Sequence, residues 1–356
     1  MAIIDGLLKG LLETSGSDLH LEEGQRPKYR VVGSIQTIEA HDVLTRDMMS
    51  ELLREICPSE LWKRYEISGD IDFAYSLHEG YRFRTNYYKH HAGMGAVFRA
   101  VPFRITPLDE LGVPEQVKSF AQLKSGLVLV TGPTGSGKST TLAALLDHIN
   151  STQARKIVTI EDPVEFIHRN KKSMIVHREV GSDTPSFVAG LRSTMKSDVD
   201  IVLVGEMRDQ ESILLALNAA QTGILVFGTL HTNSAVKTFD RVIDIFPLHQ
   251  KNYVKMALSN TLKGVLSQQL VKSADGKRRL AACELMMITP GISAMLFEGD
   301  ISNVVSEIQA SRSRGSILMD DCLVQMVKQG KIFKEEAFMK ALDKIDFQKK
   351  VGPVKF

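Results

Sequence analysis

Apolar and polar residues follow two rhythms along this chain, and the change from one to the other falls near residue 110. From residue 5 to 13, Leu7, Leu8, Leu11 and Leu12 recur at the spacing that gathers side chains on one face of a helix. The segments SDLHLEEG, KYRVVGSIQTI, DIDFAYSL, YRFRTNYYKH and MGAVFRAVP then alternate at period two between glycines, as half-buried antiparallel strands do. Between them Met49, Leu52, Leu53 and Ile56 return to helical spacing behind Thr45, a residue type suited to cap a helix. The first hundred residues therefore predict a small α+β domain.

The three prolines of PFRITPLDELGVP break the periodicity and mark a boundary. Beyond it, uninterrupted apolar runs appear: GLVLV at 126–130, KIVTI at 156–160, DIVLVG at 200–205 and ILVFGTL at 224–230. Such runs, separated by helical patterns, predict a parallel sheet covered on both faces. From about residue 250 the chain reads as mostly helical, with YVKMALSNTLKGVLSQQL the clearest helix, and the basic tail DKIDFQKKVGPVKF reads as a frayed end. The expected division is a domain over 1–100, a linker over 101–113 and a second domain over 114–356.

Composition narrows the function classes. A length of 356 residues suits about two domains, and 44 basic against 42 acidic residues give no electrostatic case for binding nucleic acid directly. Three separated cysteines, Cys57, Cys283 and Cys322, offer neither a disulfide framework nor a CxxC metal pair. Asp5, Lys9 and Glu13 interrupt the apolar N-terminus, so no secretion signal is expected there. No stretch reaches the ~18 apolar residues of a transmembrane segment, so any membrane role would run through a partner.

Gly132 to Ser139 satisfy GxxxxGK[ST] with a strand-like run before and a helical pattern after, the context in which the pattern cradles phosphate. Glycines let backbone NH groups converge on one anion, and the helix behind adds the positive end of its dipole. Thr134, Gly135, Ser136, Gly137, Lys138, Ser139 and Thr140 are the expected nucleotide contacts, Lys138 on the β and γ phosphates and Ser139 on Mg²⁺. Helix residues Leu142, Leu145, Leu146 and Ile149 lie on one face, ready to pack on the sheet.

Ligands of open parallel sheets gather at the carboxyl ends of strands, so the acids where apolar runs stop are the candidates. KIVTIEDPVEF supplies Glu161, Asp162 and Glu165; DIVLVGEMRD supplies Glu206. Glu206 is the candidate to hold Mg²⁺, and Glu165 or Glu161 to orient the attacking water. His231, in FGTLHTNSA between Thr229 and Thr232, is the candidate to sense the γ-phosphate. His90 and His91 read as a surface pair, and His20 has no evident partner.

In order and spacing, GPTGSGKSTT, TIEDPVEF, VGEMRD and GTLHTNSA resemble the Walker A, Asp, Walker B and His boxes of the type II/IV secretion ATPases. SDLHL, FRTNYY, AVFRAVP and LGVP extend the likeness through the first domain. The scarcity of cysteine sets the chain apart from members carrying a four-cysteine zinc site, and it looks like the compact type IV pilus retraction ATPases. The resemblance implies a PAS-like N-terminal domain, a RecA-like P-loop domain with a mainly parallel sheet and a helical C-terminal region, and a homohexameric ring with nucleotide between the domains.

The resemblance further implies an ATP- and Mg²⁺-dependent motor in the cytoplasm, peripheral at the inner membrane through a pilus platform protein, with a paralogous retraction ATPase as another expected partner. Arg82, Arg84 and Arg99 match the family's arginine-bearing segment and are candidates to stabilise transition-state charge. The chain departs from the family pattern at Ile224, where a histidine is usual, at 291–298, where Ser293, Ala294 and Phe297 replace two arginines and an asparagine, and at MKSDVD, 195–200. These departures leave open a low-turnover accessory ring subunit, or a motor for type II secretion or DNA uptake.

Overall fold

The structure, a computed structural model, describes residues 2–31, 33–77, 81–101, 105–276 and 278–354. The chain forms two compact units, 1–104 and 105–356. Residues 102–104 of the expected linker lie outside the described residues.

In the first unit six strands pair antiparallel throughout: β1 (Asp18–Glu22), β2 (Lys28–Val31), β3 (Ser34–Thr37), β4 (Asp70–Ser76), β5 (Arg82–His90) and β6 (Gly93–Val101), in the order β3-β2-β1-β6-β5-β4. Helix α1 (Ile3–Glu13) carries the expected leucine face, and α2 (Arg46–Ile56) starts at Thr45, whose side chain accepts from the Met48 N–H. A further helix not anticipated from the sequence, α3 (Ser59–Ser68), begins after Pro58 and stops at Gly69, which takes the left-handed φ of 75°. Ile4, Leu8, Leu11, Met49, Leu53 and Tyr65 from the helices meet Leu19, Phe83, Tyr87 and Phe98 from the sheet in one buried core.

The second unit is built on seven strands: β7 (Gly126–Thr131), β8 (Lys156–Glu161), β9 (Met174–Glu179), β10 (Ile201–Val204), β11 (Leu225–Leu230), β12 (Leu262–Lys272) and β13 (Arg279–Met287). Their order is β13-β12-β7-β11-β10-β8-β9; every pair is parallel except β12 with β13. All six residues of β7 and of β11 are buried, as strands covered on both faces must be.

On the faces lie α4 (Lys138–Thr152), α5 (Phe187–Thr194), α6 (Gln210–Gln221), α7 (Ala235–Asp244) and α8 (Leu248–Thr261). Helix α4 is buried from Thr141 through Leu146, well beyond the single face expected, because the 3₁₀ turns over 115–122 cover its far side with Val117 and Phe120. Ile105, Leu108, Leu111 and Val113 pack on the same core.

The expected long helix from residue 253 is corrected by the structure. Helix α8 ends at Thr261, and Leu262–Lys272 is strand β12, inserted between β7 and β13. Its residues are buried on both faces, a demand that overrides the helical spacing of Leu258, Leu262 and Leu266. The C-terminal region is helical from α9 (Pro290–Glu298) through α10 (Ile301–Ala310), α11 (Met319–Lys328) and α12 (Lys334–Lys340). Over Lys344–Val351 the tail is also helical, as α13, capped by Asp343 and anchored by fully buried Phe347. The frayed reading is therefore corrected for that stretch.

Candidate functional site

The phosphate-loop pattern stands at the carboxyl end of β7, where the chain turns through Gly132–Gly137 into α4. Gly132, Gly135 and Gly137 hold φ values of 142°, 76° and 92°, in the region that favours glycine. At Gly132 space is decisive as well: a Cβ would lie 2.3 Å from the Gln268 carbonyl oxygen on β12. Gly137 is also the N-cap of α4, so the loop delivers its amides straight into the positive end of a helix.

Thr134 and Gly135 are exposed on the rim, Ser136 is buried, and Gly137, Lys138, Ser139 and Thr140 are half-buried. The Ser136 Oγ is buried without a protein partner, a donor suited to a phosphate oxygen. Lys138 Nζ donates to the Gly132 and Pro133 carbonyls at 2.9 and 3.1 Å, which places its charge over the loop. Burial lowers the Lys138 pKa, against the pull of the Glu206 and Glu165 carboxylates.

Strands β11, β10 and β8 follow β7 across the sheet in parallel register, with Thr131 beside Leu230, and Gly228 beside Val204 beside Ile160. His231, Glu206 and Glu161 thus emerge along one edge. His231 Nε2 donates to Glu206 Oε1 at 2.9 Å, and Arg208 Nη2 to Glu206 Oε2 at 2.6 Å. Arg208, and then His231, hold the Glu206 carboxyl below its ordinary range despite partial burial. The Thr229 hydroxyl donates to the Gly205 carbonyl, stitching β11 to the turn that carries Glu206. Thr232 bonds Thr238 on α7 at 2.6 Å and so fixes the chain after His231.

Glu161 and Ser139 line one small cavity under the loop, together with Gly205 and Thr229. Glu165 is exposed beyond it, while the neighbouring Val164 N–H is held by Glu179 Oε2 at 3.1 Å. Ser139, Glu161 and Glu206 offer hard oxygen donor chemistry, Glu161 beside Ser139 at the cavity and Glu206 close enough to Lys138 to act on its pKa. That chemistry fits Mg²⁺, which is held by one or two carboxylates together with substrate phosphates rather than by an all-protein cage. Among the described residues no group of three or more His, Cys, Asp or Glu forms such a cage.

Arg82, Arg84 and Arg99 belong to the first unit, on the face of its sheet away from the core; Arg84 and Arg99 are directly opposite across β5 and β6. Arg99 Nε donates to Asp18 Oδ1 at 2.7 Å, and Arg30 Nε lies 3.8 Å from Asp18 Oδ2. Burial works to raise the Asp18 pKa, but bonds from Ser17 and Arg99 leave it lowered. His90 of the expected surface pair bonds Glu22 at 2.9 Å, and His91 is exposed.

Two residues without a role in the sequence reading stand out, Arg208 at the site and Glu284 behind it in the core. Arg208 lies two residues past Glu206 in the quoted VGEMRD, so its reach to that carboxylate was open to view. Glu284 on β13 is 1% exposed and accepts from Ser234 Oγ (2.9 Å), Ala235 N (2.5 Å) and Met319 N (3.2 Å), tying down the N-termini of α7 and α11. Its signal was one acid inside an apolar strand, readable only once β13 is known to be central to two helix ends.

A phosphate loop after a buried parallel strand, with carboxylates and a histidine at the ends of three neighbouring strands, defines a P-loop nucleotide-binding protein. The chain belongs to the type II/IV secretion system protein family, whose model matches residues 1–349. It is 45% identical over 338 residues to the type IV pilus retraction ATPase PilT of Pseudomonas aeruginosa, covering 95% of this chain and 98% of that one. It is 42% identical over 315 residues to a twitching motility protein of Neisseria gonorrhoeae, covering 88% and 84%. The crystal structure of the pilus retraction motor PilT with bound ADP superposes with a TM-score of 0.92 at 38% identity, covering 98% of this chain and 99% of that one.

Proposed function

We propose that this chain is an ATP-hydrolysing motor that drives retraction of type IV pili, working as a homohexamer. The observation that carries the reading is the edge formed by the loop 132–139, Glu161, Glu206 and His231, joined to the likeness to retraction motors over nearly the whole chain. In this reading the loop amides and Lys138 bind the phosphates, and Ser139 and Glu206 hold magnesium. Bound magnesium would neutralise charge growing on the β- and γ-phosphate oxygens. Glu161 and Glu165 orient the attacking water and take its proton, and His231 reports the terminal phosphate to Glu206. Arg82, Arg84 and Arg99 are the proposed further cations for the transition state.

The functional division is proposed as 1–100, a linker over 101–113 and the motor domain over 114–356. Among the described residues no helix is long and apolar enough to cross a membrane. A place on the cytoplasmic side of the inner membrane, reached through a platform protein and shared with a paralogous retraction ATPase, completes the proposal. Loss of twitching in a deletion strain, restored by the wild-type gene and not by Lys138→Ala, tests it.

A low-turnover accessory role draws on Ile224 and the 291–298 segment. Ile224 is buried in the core just before β11, at the end of that strand opposite His231. Six residues at about 3.3 Å each separate it from the phosphate edge by roughly 20 Å. Within α9, Ser293 donates to the Ser259 carbonyl on α8 at 2.6 Å and Phe297 is exposed, so both serve packing and surface. Neither departure alters the proposed catalytic edge, which favours the motor reading.

A further inference from the structure

Between β8 and β9 the chain buries His168, which is 6% exposed. Two contacts hold it. Its backbone N–H donates to His177 Nε2 on β9 at 3.0 Å, and the two imidazoles stack with centroids 5.6 Å apart and planes 15° from parallel. Since His177 Nε2 accepts, the His177 proton resides on Nδ1, which lies 2.9 Å from Thr159 Oγ1 and 4.0 Å from Glu161 Oε1 on β8. His177 thus fixes the position of the His168 ring from the same strand pair that carries Glu161.

The His168 ring lines the small cavity that also holds Ser139 and Glu161, while its Nδ1 is buried with no protein partner. A buried polar atom of this kind carries a desolvation penalty unless something meets it. The cavity measures about 20 Å³, enough for one water and too small for anything larger. Ser139, Glu161 and Thr229 line it beside His168, among the apolar side chains of Leu142, Ala143, Phe166 and Leu203; a water there has the unpartnered His168 Nδ1 and these polar residues as its candidate partners.

We propose that His168 is a positioning residue of the nucleotide site, binding through Nδ1 one water that braces Ser139 and Glu161 from beneath the phosphate loop. The inference rests on the reading of Ser139 as a magnesium ligand. His168 touches neither nucleotide nor metal; it acts by fixing the groups that do. Outer-shell partners of this sort are worth about 10- to 100-fold in metal affinity or activity.

Two substitutions separate the water site from packing. His168→Phe keeps an aromatic ring against His177 and removes the nitrogen; His168→Asn keeps a polar atom close to the Nδ1 position and removes the ring. Binding of a fluorescent ADP is measured with Mg²⁺ and with EDTA, beside kcat, KM and the melting temperature. The proposal expects His168→Phe to bind ADP in EDTA as the wild type does, to lose about tenfold of the affinity that Mg²⁺ adds, and to lose kcat with KM little changed. His168→Asn should recover most of both. A crystal structure of the wild type with ADP and Mg²⁺ should show a water within hydrogen-bonding distance of Nδ1.

An unaltered Mg²⁺ gain in His168→Phe, equal defects in both variants that follow their melting temperatures, or no water at Nδ1 would each overturn the proposal. Should neither variant fold, that crystal structure decides alone. Failure of the functional reading looks different, because wild-type protein would then itself gain nothing from Mg²⁺.

Discussion

The imidazole of His231 and the carboxylate of Glu206 stand 2.9 Å apart at the ends of adjacent strands β11 and β10, with Arg208 on the other carboxylate oxygen. One carboxylate is therefore held by a guanidinium and an imidazole, and Arg208 first among them keeps its pKa below the ordinary range. Glu206→Gln keeps the shape and removes the charge. It should lower phosphate release by about a hundredfold while ADP binding in EDTA stays within a fewfold of wild type. Comparable losses of turnover and of metal-free binding would remove Glu206 from the metal side.

Glu284 makes a separate claim about stability. It is buried, its pKa is raised by burial against bonds from Ser234, Met319 and Ala235, and it joins the ends of α7 and α11 to β13. Glu284→Ala strands two helix N–H groups in the interior and should cost about 3 kcal/mol in urea unfolding. Glu284→Gln retains a carbonyl acceptor and should cost less. Equal and small effects of both would mean that the clamp carries little of the stability.

The pH dependence of stability should register His168. Burial, and next the neighbouring His177, push its pKa from an ordinary 6.5 down to about 4. The unfolded chain then takes up a proton that the native chain refuses. The contribution is present in full above pH 6.5 and is lost as pH falls toward about 4, a total of about 3 kcal/mol at 1.36 kcal/mol per unit. The wild type minus His168→Phe difference in unfolding free energy, measured from pH 7.5 to 4, should slope across that window; a flat difference contradicts it.

Arg84 and Arg99 separate chemistry from folding in the first unit. Arg99→Ala leaves the Asp18 carboxylate, 3% exposed, with Arg30 at 3.8 Å and should cost roughly 1–3 kcal/mol. Arg84 is exposed, so Arg84→Ala should leave stability within ~0.5 kcal/mol. A fall in kcat for Arg84→Ala at unchanged melting temperature would place that guanidinium in turnover, and an unchanged kcat would remove it.

Much of the site could be read from the sequence because its chemistry is local. The phosphate loop is eight consecutive residues between a strand and a helix, and Glu161, Glu206 and His231 each follow an apolar run that could only be a buried strand. The contacts among them were not legible. Glu206 meets His231 because β10 and β11 are neighbours in parallel register, and only the sheet order shows it.

Elsewhere local pattern competed with tertiary pairing. Leu262–Lys272 carries helical spacing yet lies between two strands. Its marker was Gly264, where the register with β7 shifts and the Phe120 ring leaves no room, since a Cβ would stand 2.3 Å from Cζ. Helix α3 had visible punctuation, Pro58 before it and Gly69 after it, but a weak apolar stripe with Tyr65 its one buried residue. The tail around Phe347 reads as a loose end until the α11 and α12 surface that buries it is known.

The central claim is that the loop 132–139 binds a nucleotide whose terminal phosphate is then hydrolysed, and the most direct test is phosphate release by purified wild type and Lys138→Ala with ATP and Mg²⁺. The wild type should turn over and Lys138→Ala should lose at least about a hundredfold. Equal rates in the two proteins, or no release from the wild type under any Mg²⁺ concentration, would contradict the account.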